Sequence, residues 1–250
     1  MAEYNTYRTA QGVGQRQAVI DEGLRAYMNK VYGLMAVGMG VTAVAAFGIA
    51  NAAVSPEGQL TALGAAIYAS PLRWVIIFAP LLVVFAFGAA VNRLSIPAAT
   101  GLFYGFAALM GLSISSIFLV YTSYSIVQTF LVTAIAFAGL SLWGYTTKKD
   151  ISGWGSFLIM GVIGLIVAAI VNIFLGSPAI QFAISVLGVL IFAGLTAYDT
   201  QNIKNTYLEM AAQGADQDFI GKTAIMGALR LYLDFLNLFM FLLQFMGQRD

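Results

Sequence analysis

The sequence predicts an all-α polytopic membrane protein with seven transmembrane helices, and three observations predict it. The 250 residues are 60% hydrophobic and only 9% charged, where a soluble domain carries about 25% charged residues to face water. Apolar runs long enough to cross a bilayer, roughly 20 residues at 1.5 Å each, recur along the whole chain. These runs are continuous and do not alternate apolar with polar over about ten residues, as membrane β-strands do.

The elements follow in order. The first 30 residues are polar and mixed in charge, with Arg8, Arg16, Arg25 and Lys30 set against Glu3, Asp21 and Glu22. They lack the apolar core and small-residue cleavage site of a signal peptide. Residues 15–30 read either as a helix lying on the membrane surface or as a solvated tail. Spans are expected at 31–53, 73–92, 98–120, 125–145, 155–175, 179–199 and 224–246, with long loops only at 54–72 and 200–223. The chain thus divides into a tail (1–30), a transmembrane domain (31–246) and a short C-terminal tail (247–250). Pro80 predicts a local kink in the second span. The pairs Gly101/Gly105 and Gly161/Gly164 present small residues at helical spacing, which lets membrane helices approach closely. Trp74, Trp143 and Trp154 fall near span ends, at the level of aromatic belts.

Charge sets orientation. One side carries Arg8, Arg16, Arg25, Lys30, Arg93, Lys148, Lys149, Lys204 and Lys222, and the other only Arg73 and Arg249. The positive-inside rule then places the N-terminus in the cytoplasm and, with seven spans, the C-terminus on the opposite face. Composition also excludes function classes. A chain without Cys is not a disulfide scaffold, and one without His or Cys offers no zinc, haem or Ser-His chemistry. A net charge of +1 without a long basic run argues against a nucleic-acid partner. No internal repeat is visible, which counts against an inverted-repeat transporter.

Within a membrane the informative residues are the costly ones, since a central charge costs about 2.5–3.5 kcal/mol on insertion scales. Four stand out: Arg93, Asp199, Arg230 and Asp234. Asp199 closes the sixth span near the basic end. Asp234 lies in the apolar run Leu231–Phe239, one helical turn after Arg230, so a local pair between them that aids insertion is one reading. Adjacent packing of spans six and seven would bring Asp199 and Asp234 together. Two carboxylates in one poorly solvated site cannot both ionise cheaply and titrate as a unit. They form a proton-sensitive switch without histidine, and when ionised they offer oxygen ligands to Ca2+. Arg93, at the end of the second span, is a candidate latch on the pair or a plain positive-inside anchor. Asn172 in the fifth span is an accessory candidate for lining a polar path, or interhelical glue.

The runs Ala197-Tyr198-Asp199-Thr200-Gln201 and Leu231-Tyr232-Leu233-Asp234-Phe235-Leu236-Asn237-Leu238-Phe239, with Val171-Asn172-Ile173-Phe174, Lys148-Lys149-Asp150-Ile151 and Gly111-Leu112-Ser113, resemble the transmembrane Bax inhibitor motif (Bax inhibitor-1) family in its bacterial branch. The resemblance covers about Ala26 to Gly247. It implies a seven-helix fold with the seventh helix central, and a pH-sensitive Ca2+ leak with no other cofactor. Asp199 and Asp234 match the family's proton-sensing pair, and Arg93 its latch. An acidic residue that some relatives carry within the second span is absent here, where the chain reads Pro80-Leu81-Leu82-Val83.

The expected function is therefore a Ca2+ leak gated by Asp199 and Asp234, in a bacterial inner membrane. No catalytic set is evident, so the chain is not expected to be an enzyme. Its expected partners are the lipid bilayer, Ca2+ and protons. One bundle can hold the whole site, so a monomer suffices. The second reading, from relatives, is a modulator of a membrane-bound AAA+ protease, with the N-terminal 30 residues as the contact. A remote third is an intramembrane aspartyl protease. Its Gly-x-Gly-Asp pattern is missing, since Leu231-Tyr232-Leu233 precedes Asp234.

Overall fold

A computed structural model describes the backbone of residues 2–249 and the side chains of residues 18–249. Seven helices among the described residues are long and apolar enough to cross a membrane. They are α1 (Ala2–Ala53), α2 (Leu72–Ala90), α3 (Ile96–Ile114), α4 (Ser123–Thr146), α5 (Trp154–Leu175), α6 (Pro178–Gln213) and α7 (Gln217–Met246). Side-chain caps start four of them. Ser95, Thr122, Ser177 and Asp216 accept from the backbone N–H three residues on, satisfying donors that a helix start leaves open. Gly176 and Gly214 end α5 and α6 with φ of 60° and 69°, a left-handed turn that glycine adopts without strain.

Every expected span is present, but α1, α3, α6 and α7 each differ at one boundary. α1 is unbroken through residue 30 and carries the charged residues Asp21, Glu22, Arg25 and Lys30 before its apolar run. α6 does not stop at Asp199 but runs to Gln213, so only residues 214–216 connect it to α7. The part of α1 from residue 18 onward and the whole of α6 are each 36 residues long, about 54 Å at helical rise, against a bilayer core of about 30 Å. Their overhanging ends pack on each other: the rings of Tyr27 and Tyr207 lie 4.9 Å apart, with Leu24, Met28 and Met210 buried around them. The sequence reading ended α6 where hydropathy ended, yet a helix sheltered by a neighbour needs no lipid. α2 passes through Pro80 as one helix. The 54–72 segment is not plain loop, since it holds a bridge between Val54 and Leu60 and two short helical turns, Ala62–Gly64 and Ala65–Ala69.

α7 is the centre of the bundle. Its apolar window is 61% buried, against 11–33% for the other six, and it packs against α6, α1, α4 and α3. Tyr232, Leu231, Leu238 and Leu243 on it are fully buried. The Tyr232 hydroxyl meets Thr42 of α1 at 2.7 Å, and Thr42 also donates to the Ala107 carbonyl of α3 at 2.8 Å. α2 and α5 are peripheral, with long exposed apolar faces that suit lipid.

The α4–α5 connection is held by one buried side chain. Gln201 of α6 donates to the Lys149 carbonyl at 2.8 Å and accepts from the Ile151 N–H at 3.0 Å. Gln201→Ala leaves both backbone groups without their partner and is expected to cost about 1–3 kcal/mol. A lowered unfolding midpoint and faster amide exchange at Ile151 would check this. In the same turn, the Ser152 N–H holds Asp150 below the usual carboxylate range. Asp150 therefore stays ionised between pH 6 and 8 and contributes nothing to pH dependence there.

Candidate proton-sensing and cation site

The geometry of the site follows from two antiparallel helices. α6 runs towards the basic end of the bundle and α7 runs away from it. Three residues on from Asp199 on α6 is Asn202, and four residues back from Asp234 on α7 is Arg230. These offsets, about 4.5 and 6 Å by helical rise, put Asn202 level with Arg230 when the two aspartates are level. Arg230 does donate to the side-chain Oδ1 of Asn202 at 3.1 Å, and the two carboxyl groups are within hydrogen-bonding reach of each other. The sequence expectation that spans six and seven bring Asp199 and Asp234 together is met by this packing.

The two members differ in setting. Asp234 is 4% exposed and its Oδ2 has no hydrogen-bond partner. Asp199 is only partly buried, towards the basic end. Arg230 is close enough to act electrostatically on both. It is exposed and bonded across to α6, so it is more than a local partner of Asp234 within α7.

Arg93 does not join them. It is exposed in the short turn Val91–Arg93 that ends α2, and the cation acting on both carboxyl groups is Arg230. The sequence named Arg93 by resemblance. Arg230, which shares a helical face with Asp234, is the cation beside the pair in this conformation.

Asn172 lies far from the aspartates, at the opposite end of the bundle. It is 9% exposed and donates to Gln181 at 3.3 Å, and Gln181 donates to Gln244 at 2.9 Å. Ser185 also donates to Gln244, at 3.4 Å. Three side-chain amides from α5, α6 and α7 thus line a cavity of about 420 Å³, with Ser177 and Arg249 at its edge. Sequence reading found Asn172 but missed Gln181 and Gln244. No spacing within one helix announces them, since the cluster forms only where α6 and α7 face each other. A larger cavity of about 530 Å³ lies between α1 and α4, lined by Arg25, Tyr32, Phe137 and Tyr145 among others, and neither aspartate lines it.

Known proteins bear on this arrangement. The family described as "Inhibitor of apoptosis-promoting Bax1" matches residues 24–250. A protein of Caulobacter vibrioides is 48% identical over 91% of this chain and 90% of its own length. The inner membrane protein YbhL of Escherichia coli K12 is 44% identical over 91% of this chain and 93% of its own. A Rickettsia prowazekii protein is 41% identical over 94% of each.

Proposed function

The chain belongs to the family of inhibitors of apoptosis-promoting Bax1, and from that premise we propose that it is a pH-sensitive Ca2+ leak whose proton sensor is the Asp199–Asp234 pair. The observation that carries the reading is the pairing of Asp199 on α6 with Asp234 on the central helix α7, with one Asp234 oxygen buried and unpartnered. Two carboxyl groups at such range hold or release a proton as a unit, so small changes in pH change the charge of the core. That charge acts at the contact between α6 and α7, where a change of attraction shifts two helices at once.

The pair alone supplies fewer oxygens than the six to eight that Ca2+ takes. It therefore acts as a waypoint for a partly hydrated ion and not as a storage site. Arg230 is the counter-charge in this conformation, and latching by Arg93 belongs to an arrangement in which the end of α2 has moved. We place the basic end of the bundle in the cytoplasm of a bacterium with an inner membrane. Among the described side chains Arg25, Lys30, Arg93, Lys148, Lys149, Lys204 and Lys222 mark that end, against Arg73 and Arg249. Arg8 and Arg16 lie outside the described side chains, as does most of the tail assigned to a protease partner.

Ca2+ flux into liposomes holding the purified protein, at pH 6, 7 and 8, tests the reading. Flux above empty liposomes that changes with pH is the expected result. Flux equal to empty liposomes at all three values would overturn it.

A further inference from the structure

The polar face of α7 does not end at Asp234. Arg230, Asp234, Asn237, Phe241 and Gln244 follow at steps of four, three, four and three, the spacing that keeps side chains on one helical face. Phe241 is the one apolar member. Facing it, α6 repeats the order with Asn202, Asp199, Phe192, Ser185 and Gln181. Each phenylalanine is seven residues from the aspartate of its own helix, about 10 Å by helical rise, so both rings occupy one level of the bundle. They stack with centroids 5.7 Å apart and planes at 27°. Gly188 makes the seat for this pair, since a Cβ there would lie 2.5 Å from the Phe241 ring. Ile184, Leu195 and Leu238 complete an apolar layer around them. On one side of the layer are the carboxyl pair and Asn237. On the other is the amide-lined cavity of Gln181, Gln244 and Asn172.

We propose that the stacked Phe192–Phe241 pair is the closed gate of the conduction path, set between an outer amide vestibule and the inner carboxylate site. The proposal rests on the leak reading above and adds the point at which the leak is shut. An ion in the vestibule can exchange water for amide oxygens, and an ion at the aspartates can exchange it for carboxylate oxygens. Between them it meets only rings and aliphatic groups, and such a constriction blocks ions because it does not hold water. A small shift of α7 along α6 unstacks the rings from Gly188 and wets the layer. The carboxyl pair sits on the same two helices, so its charge biases that shift.

The competing explanation is that the rings only pack α6 on α7. Phe241→Asn and Phe241→Leu separate the two, because the substituted side chains are similar in size and differ in polarity. Phe239→Ala is the packing control. Phe239 is 4% exposed, on a different face of α7, against Phe130 of α4. Flux is read in liposomes at the pH where the wild type conducts least. A rise of about tenfold for Phe241→Asn, with Phe241→Leu and Phe239→Ala within about twofold of wild type, is expected for a dewetted gate. Equal flux from the Asn and Leu variants overturns the gate, and so does a Phe239→Ala leak as large as that of Phe241→Asn. If the wild type leaks with pH and Phe241→Asn leaves it unchanged, the gate falls and the leak reading stands. If no protein conducts at any pH, the leak reading falls and takes the gate with it.

Discussion

Asp234→Asn removes the pH dependence of Ca2+ flux. A device that redistributes two states by about 1.4 kcal/mol gives the wild type about a tenfold change between pH 6 and 8, and in the variant the change falls below about twofold. The substitution keeps the shape of the side chain and its reach to Asp199, and takes away only the titrating group. Asp199→Asn is expected to leave a residual dependence. Asp199 is partly buried near the basic end, and the remaining Asp234 stays in the core with Arg230 one turn away. The other carboxylate on this end with a perturbed titration, Asp150, is held ionised by Ser152 across that range and cannot supply the effect. Flux assays at three pH values on both variants check the order, with unfolding midpoints run alongside. A pH response of wild-type size in Asp234→Asn would show that the sensor lies elsewhere.

The parts of this fold that sequence made legible are those governed by solvent. Seven long apolar runs had to be spans, because lipid leaves few alternatives. Asp199 and Asp234 drew attention because a carboxylate in such a run is costly. What sequence did not reveal depends on which helix lies beside which. The Gly101/Gly105 pair looked like a packing motif, yet a Cβ at either glycine would meet nothing within 4 Å, and the same is true of Gly164. Gly161 does meet Ile191, but two glycines that bring helices against backbone, Gly111 against Thr42 and Gly144 against Ala197, stand singly and carry no spacing signal. Arg93 and Arg230 illustrate the same limit. Spacing put Arg230 on the face of Asp234, but only the packing of α7 on α6 shows that it reaches Asn202 and that Arg93 stays outside the site. The amide cluster went unread because Gln181 and Gln244 are 63 positions apart.

The largest loss of stability is expected at the crossing of α4 and α6. A side chain on Gly144 would run directly into the backbone of Ala197, two residues before Asp199. The crossing is further tied by buried hydroxyls: Tyr32 meets Ser141 at 2.6 Å, and Ser141 meets Thr200 at 2.8 Å. Such bonds contribute modestly in lipid, about 0.6 kcal/mol each on average, but they form only while the backbones touch. Gly144→Leu therefore drives α6 from α4, breaks the hydroxyl chain and moves the segment that carries Asp199. About 3 kcal/mol is expected, the upper end for overpacking, which lowers the unfolding midpoint by roughly 2–4 °C for each kcal/mol. Gly105→Leu, whose side chain would enter open space, should leave the midpoint unchanged. Because the obstacle is backbone, adding Ala197→Gly should not rescue Gly144→Leu. A recovered midpoint in that double variant would mean that the two helices meet through side chains, and that the position of Asp199 does not depend on this crossing.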